Sequence, residues 1–281
     1  MINKEVLRQI KLVVSDLDGT LLNDNGDLDK STIDLIHQLN KNNVPFALAT
    51  GRLFNAIKDY IQILNLKIPQ ITLDGTYIVN PFSNEVLFEE YLPRKYVKRA
   101  LNLSDKYLLK VALCHGSAIL YTKENSLISD MLEKYNANYS LVETYEDHLD
   151  NTLEILITSE YSEQLRYVSK KMSFPYTYGI RNSFYKSQTH GGIYYLEIRK
   201  IGSSKGEGLK KLCEHLNIKV KEAAVIGDWY NDKTLFETDA LKVAMANAVP
   251  EIKRLSDIVT RKDNNCGGAA EFLEILLSAK K

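Results

Sequence analysis

Lys11 to Thr20 reads KLVVSDLDGT. Leu12, Val13 and Val14 are a short apolar, β-branched run of the kind that becomes a strand covered on both faces, and it stops at Ser15-Asp16-Leu17-Asp18-Gly19-Thr20. Residues two apart in an extended segment project to the same side. Asp16 and Asp18 are therefore expected to face one point, with Gly19 letting the chain turn away beneath them. Two carboxylates held that close repel, and a divalent cation between them removes the conflict. A polar turn after a strand is the plainer reading of Asp-x-Asp-Gly. A calcium loop fails on spacing, because counting back from Gly19 or Gly26 puts Val14 or Leu21 at the first ligand position. Phosphoryl chemistry is left, provided the rest of the chain supplies partners for the acids.

The 281 residues suit one large or two modest domains. Lys plus Arg and Asp plus Glu number 36 each, so no net field recruits nucleic acid or an anionic membrane, and a small molecule is the expected partner. MINKEVLRQIK at the amino terminus lacks the apolar core of a signal peptide, and no run approaches the roughly 18 apolar residues of a membrane span. A soluble, cytoplasmic protein is expected. Cys114, Cys213 and Cys266 are odd in number and without C-x-x-C spacing, so they predict buried thiols rather than a disulfide framework or a zinc site.

Outward from the opening strand, Ser31-Thr32-Ile33-Asp34 fits a capping box for a crossover helix that runs to Asn42-Asn43. Val44 to Thr50 and Gln70 to Asp74 read as further strands, separated by a helical segment through about Leu64. The grammar then changes. Tyr77 to Asn80 and Glu85 to Glu89 flank a turn at Pro81 to Asn84, and they predict a hairpin. An α+β pattern follows: a helix after Pro93, strands at Leu109 to Leu113 and Ala118 to Thr122, a helix from Asn125 to Tyr135, a strand at Leu153 to Thr158, a helix at Ser162 to Met172, and strands at Tyr176 to Arg181 and Tyr194 to Arg199. Parallel-sheet grammar returns with a helix from Ser204, strands at Ala223 to Ile226, Leu241 to Met245 and Ile258 to Thr260, and a last helix from Gly268. The expected fold is α/β: a Rossmann-like parallel-sheet core built from residues 1–82 and 200–281, with an α+β domain inserted at 83–199. Open parallel sheets bind ligands beyond the carboxyl ends of their strands. Asp16, Asp18, Thr50 and Asp228 all fall at such ends.

Two motifs mislead. Gly202-Ser203-Ser204-Lys205-Gly206 matches G-x-S-x-G, but the only later histidine is His215 on the same predicted helix. Asp74-Gly75-Thr76 imitates the first motif without its preceding acid and reads as a turn near the site. Asp16, Asp18, Thr50, Lys205, Asp228, Asn231 and Asp232 are left, and they cover the tasks of phosphoryl transfer. Asp228 can share a Mg²⁺ with Asp16, because this small hard cation takes one or two carboxylates plus phosphate oxygen and water. Thr50 can donate its hydroxyl to a phosphoryl oxygen, and Lys205, in the first turn of its helix, can offer its ammonium to the same group.

Asp16-Leu17-Asp18-Gly19-Thr20, Ala49-Thr50-Gly51-Arg52, Ser204-Lys205-Gly206, Gly227-Asp228-Trp229-Tyr230-Asn231-Asp232 and Val243 to Ala248 together resemble the haloacid dehalogenase-like hydrolases, specifically the Cof-type phosphatases with a large α/β cap. The resemblance implies that Asp16 attacks phosphorus to form an aspartyl-phosphate. It implies that Asp18 protonates the leaving oxygen, then activates water, and lends its backbone carbonyl to a Mg²⁺ held with Asp16 and Asp228. Thr50 and Lys205 join the catalytic set, while Leu17, Gly51, Arg52, Asn231 and Asp232 line the phosphate or support those that do. The implied substrate is a small-molecule phosphate ester such as a sugar phosphate or a phosphorylated cofactor, handled by a monomer or homodimer. Arg181, Asn182 and His190 of the insertion are candidates to reach it. A phosphomutase or phosphotransferase, and a phosphoreceiver-like sensor, are the competing readings. The chain departs from the family pattern at Asp74, where Asn is usual, and at Leu235, where Met is frequent.

Overall fold

Leu12–Ser15 becomes a strand with all four residues buried. It lies inside a five-stranded parallel sheet ordered Ile258–Val259, Leu241–Ala244, Ala223–Gly227, Leu12–Ser15 and Phe46–Leu48. The computed structural model in which it is seen describes residues 4–125, 138–186 and 192–281. Chain order reverses between Leu12–Ser15 and Ala223–Gly227, which pair in register with Ser15 opposite Ile226. The crevice of such a sheet opens at that reversal. The residues that follow these two strands, Asp16 and Asp228, are thereby brought together from opposite ends of the chain.

Helices cover the sheet through narrow apolar stripes. Lys30–Lys41 buries Ile36 and Leu39 and packs against Gly268–Lys280, which buries Phe272, Leu273, Leu276 and Leu277. The cap of the first of these helices differs from the expected box. Asp29, two residues before Ser31, is the N-cap, and its carboxylate accepts from the Thr32 backbone at 3.1 Å and from the Ser31 hydroxyl. An ionised acceptor at a helix start outcompetes a serine hydroxyl, and such a cap is worth about 1 kcal/mol. A short helix at Lys4–Gln9, and two more at Lys233–Phe236 and Pro250–Leu255, had no clear signal in the sequence.

The expected strand at Gln70 to Asp74 shortens to Gln70–Thr72 and meets the parallel sheet through an isolated bridge, Ala49 to Ile71, and through the Leu48 backbone N–H, which donates to Gln70 Oε1 at 2.8 Å. It pairs instead with Tyr77–Val79 and, beyond it, Val86–Glu89 in a separate three-stranded sheet. The cause is the turn between them. Leu73, Asp74 and Gly75 have φ of 47°, 48° and 91°, three successive left-handed residues that reverse the chain within one turn. The hairpin, expected to open the insertion, groups with the parallel-sheet unit: one unit comprises residues 1–51, 57–88 and 204–281, the other 52–56 and 89–203.

The second unit is a six-stranded sheet ordered Ile180–Lys186, Tyr194–Lys200, Glu154–Ser159, Lys110–Cys114, Ile119–Tyr121 and Tyr139–Leu141. Val111, Leu113, Ile155, Ile157, Leu196 and Ile198 alternate along its strands and pack against Val97, Ala100 and Leu101 of the helix Arg94–Lys106 and against Leu165 and Val168 of the helix Ser162–Lys171. Off that apolar face, Arg199 is buried with Glu154 at 2.5 Å and Glu197 at 2.8 Å. The strand expected at Tyr176 to Arg181 starts later, at Ile180, after Gly179 with φ of 69°. The helix expected at Asn125 to Tyr135 lies almost wholly outside the described residues.

Candidate active site

Asp16 continues the ladder of its strand, its backbone N–H donating to the Ile226 carbonyl at 2.9 Å, and its side chain is buried. Lys205 begins the helix Lys205–His215, whose N-cap Ser204 accepts from the Glu207 backbone at 3.2 Å. That hydroxyl has a structural task, which answers the G-x-S-x-G match. The Lys205 side chain has 0% exposure, and its ammonium donates at 2.7 Å to Asp16 Oδ1 and at 2.7 Å to Asp232 Oδ1. Burial opposes the charge on Lys205, yet Asp16, Asp232 and Asp74 together hold its proton more tightly than usual.

Asp232 spends its other oxygen on the loop, where Oδ2 accepts from the backbones of Asp228 at 2.8 Å and Trp229 at 3.0 Å. Both its oxygens are thus committed to protein donors. Asp228 accepts from the Thr20 hydroxyl at 2.5 Å through Oδ1, while its Oδ2 lies 2.6 Å from the point where a Cβ on Gly19 would sit. Gly19 has φ of 74° as well, so both space and backbone require glycine there.

Asp16, Asp228 and Asp232 each offer an oxygen within 4.8 Å of the other two. Burial, and then the neighbouring Asp232 charge, push Asp16 well above the ordinary carboxylate range and Asp228 up to about 7. Three buried carboxylates against one ammonium are short of positive charge. All-oxygen donors with that deficit fit a small hard divalent cation, and Asp16 and Asp228, each with one oxygen not committed to a protein donor among the described residues, are the residues that would hold it.

Asp18 differs from the strand-based expectation. The strand ends at Ser15, so the two-residue alternation does not carry to Asp18, which is exposed while Asp16 is buried. Its charge still reaches Asp228, where it is one of the influences raising that carboxyl. The Leu17 side chain is wholly buried in the core and its carbonyl accepts from the backbones of Leu21 and Leu22, so its remaining polar group is the peptide N–H. Thr50 is buried after the strand Phe46–Leu48, its N–H given to Ile71 and its carbonyl to Asp74, each at 2.9 Å. Gly51 abuts the Asp74 carboxylate, and Asn231 donates its amide to Asp74 Oδ1 at 3.2 Å. Arg52 groups with the inserted unit. Within that inserted unit, the Asn182 amide is spent on Ser169, Met172 and Ser173 at the end of a helix, Arg181 is exposed, and His190 lies outside the described residues.

Three contributors went unassigned in the sequence. Thr20 stands inside the quoted motif, and its hydroxyl had no partner that spacing could identify. Asn247, inside the Val243 to Ala248 run, donates to the Gly19 carbonyl at 2.8 Å and accepts from the Asn264 backbone at 3.2 Å, bracing the loop after Asp18. Asp74 reads in the sequence as a turn near the site and as a departure from the family pattern, with no partner assigned to it.

Residues 13–273 match the model of a family described as haloacid dehalogenase-like hydrolase. The chain belongs to the haloacid dehalogenase-like hydrolases. Its relatives within this hydrolase family include the Bacillus subtilis phosphatase YwpJ, 27% identical over 95% of this chain and 100% of that protein, and the B. subtilis 5-amino-6-(5-phospho-D-ribitylamino)uracil phosphatase YitU, 23% identical over 94% and 96%. A crystal structure of TM0651 from Thermotoga maritima superposes with a TM-score of 0.81 at 28% identity, covering 94% of this chain and 97% of that one. The Cof-type resemblance and the α/β class both stand, and the enzyme is a haloacid dehalogenase-like phosphatase.

Proposed function

We propose that this phosphatase hydrolyses small phosphorylated metabolites, such as sugar phosphates or phosphorylated cofactors, in a Mg²⁺-dependent reaction through an aspartyl-phosphate on Asp16. The observation that carries the reading is the buried Asp16 carboxylate, gripped by Lys205 through one oxygen and set beside Asp228. The name of YitU, a phosphorylated ribitylaminouracil phosphatase, supports the substrate class. When bound by Asp16 and Asp228, Mg²⁺ supplies the positive charge that lets an anionic nucleophile approach an anionic phosphoryl group.

In the first step an Asp16 oxygen bonds to phosphorus, the bond from phosphorus to the ester oxygen breaks, and that oxygen takes a proton from Asp18. In the second, water gives a proton to Asp18 and its oxygen to phosphorus, which frees inorganic phosphate and restores Asp16. Burial suits Asp16, because a desolvated carboxylate held by one ammonium is fixed in direction. Exposure suits Asp18, because a group that must trade protons with a leaving alcohol and then with water needs access to both. Thr50 is assigned to the phosphoryl oxygens and the inserted unit, read as the cap, to selection among leaving groups.

The test is phosphate release from a panel of phosphorylated metabolites. Asp16→Asn is expected to lose turnover by at least roughly 10³-fold while remaining folded, and chelation of divalent metal is expected to abolish activity until Mg²⁺ is restored. Substantial hydrolysis by Asp16→Asn, or undiminished hydrolysis after chelation, overturns the reading.

A further inference from the structure

The loop that leaves the strand Ala223–Gly227 at its carboxyl end carries the chain's single tryptophan, Trp229, and beside it Tyr230. Both side chains are exposed, at 40% and 54%, although Asp228 before them and Asp232 after them are buried. The backbone beneath the rings is tightly held. Asp232 Oδ2 accepts from the N–H groups of Asp228 at 2.8 Å and Trp229 at 3.0 Å, and the Asp232 N–H donates to the Trp229 carbonyl at 3.0 Å. A Cβ on Gly227 would lie 2.6 Å from that same Asp232 oxygen, so the loop closes hard against one carboxylate. Asp232 is in turn anchored by Lys205.

The rings therefore stand on a fixed base at the mouth of the crevice. Asp228, immediately before them, belongs to the acidic cluster, and Asn231, immediately after them, donates to Asp74 beside Lys205. The aromatic pair is thus bracketed by two side chains that enter the site. An apolar ring left in water forgoes the roughly 25 cal/mol per Å² that covering it would return. Ligand pockets set such surface beside a few polar groups, and rigid aromatic side chains give contact area at little cost in conformational entropy. The two rings pack edge to face, with centroids 5.3 Å apart and planes at 74°. A flat unsaturated ring stacked on one of them presents its edge to the other, and these are the two arrangements that aromatic quadrupoles favour. A saturated sugar or an open chain has no ring quadrupole to match either.

We propose that Trp229 and Tyr230 are specificity-determining residues, forming a corner that binds a planar unsaturated ring in the leaving group, so that the preferred substrates are phosphate esters of heteroaromatic alcohols. The inference rests on the phosphatase reading and narrows it to the ring-bearing members of its substrate class.

The experiment measures kcat and KM, with Mg²⁺ present, for two ring-bearing esters, pyridoxine 5′-phosphate and riboflavin 5′-phosphate, and for two esters without a planar ring, glucose 6-phosphate and glycerol 3-phosphate. Wild type, Trp229→Ala, Trp229→Phe and Tyr230→Ala are compared by the ratio of kcat/KM between the two classes, a quantity that general damage to the enzyme does not move. Wild type is expected to favour at least one ring-bearing ester over both of the others. Trp229→Ala is expected to lower the ratio roughly tenfold, chiefly through KM, because stacking on an aromatic side chain is worth about that much. Trp229→Phe, which restores a planar ring, is expected to recover most of the loss, and Tyr230→Ala to lower the ratio in the same direction. A ratio that is unchanged in both alanine variants, or a wild type that favours the sugar or acyclic ester, overturns the inference while leaving the phosphatase reading in place. A wild type that releases phosphate from none of these esters or any other sinks the phosphatase reading itself, so the two failures are distinguishable.

Discussion

Lys205 tolerates little change, being wholly buried and charged. Lysine is almost never fully buried unless paired, and this one is paired twice, with partners 189 and 27 positions away in sequence. Replacing it with Met keeps the volume and leaves Asp16 and Asp232 facing each other without a counter-charge. Lys205→Met is expected to cost about 3–5 kcal/mol in urea unfolding and to lower kcat/KM by roughly 10²–10³. A variant that lost activity with unchanged stability would show the ion pairs to be energetically idle. At this scale much was legible beforehand. Asp16, Lys205, Asp228 and Asp232 were singled out by residue type at strand and helix ends, and the structure assembles these four. The partnership of Thr20 with Asp228 was not legible, because a hydroxyl's partner 208 residues away leaves no local pattern.

Among the elements, the turn Leu73 to Gly75 has several structural consequences. It ends a strand, reverses the chain, abuts the N-cap of the lysine-bearing helix and delivers Asp74. Gly75→Ala meets both a positive φ of 91° and a contact of 2.2 Å with backbone, so something must shift. Gly26 makes a control, having φ of 85° with nothing within 4 Å of the added carbon. Gly26→Ala is expected to lose only the backbone term of about 1–2 kcal/mol. Gly75→Ala should lose clearly more, together with activity, because the displaced atoms belong to Ser204 next to Lys205. Equal losses in denaturant unfolding would mean that the close approach relaxes freely. The sequence marked Asp74-Gly75 as a turn but extended the strand into it. Periodicity reports which residues are apolar, and Ile71, Leu73 and the acid after them look like any strand that ends in a polar residue.

For the molecule as a whole, two strands from the ends of the chain deposit like charges in one buried crevice, and that arrangement is a liability unless a cation is present. Without metal, Asp228 is pushed up to about 7 by burial and by Asp232. A carboxyl raised in the folded state contributes stability that is full below its unfolded value of about 4 and is lost as pH rises through about 7. Asp228→Asn is therefore expected to melt higher than wild type in metal-free buffer near pH 8. The wild type should gain on addition of Mg²⁺, a ligand that binds only the folded state, whereas the variant should respond far less. Scanning calorimetry with and without Mg²⁺ checks both, and a wild type indifferent to the ion would remove Asp228 from the metal site.

The sequence by itself determined the class of the fold and the chemical character of the site. Buried parallel strands need continuous apolar runs, and the polar residues that close them sit on one edge of the sheet by the direction of the chain alone. Only tertiary structure decided that Asp18 is exposed where Asp16 is buried, that Gln70–Thr72 leaves the parallel sheet, and that Asp74 bears on Lys205. These depend on distances between segments far apart in the chain, and residue order carries no measure of such distances until the chain has packed.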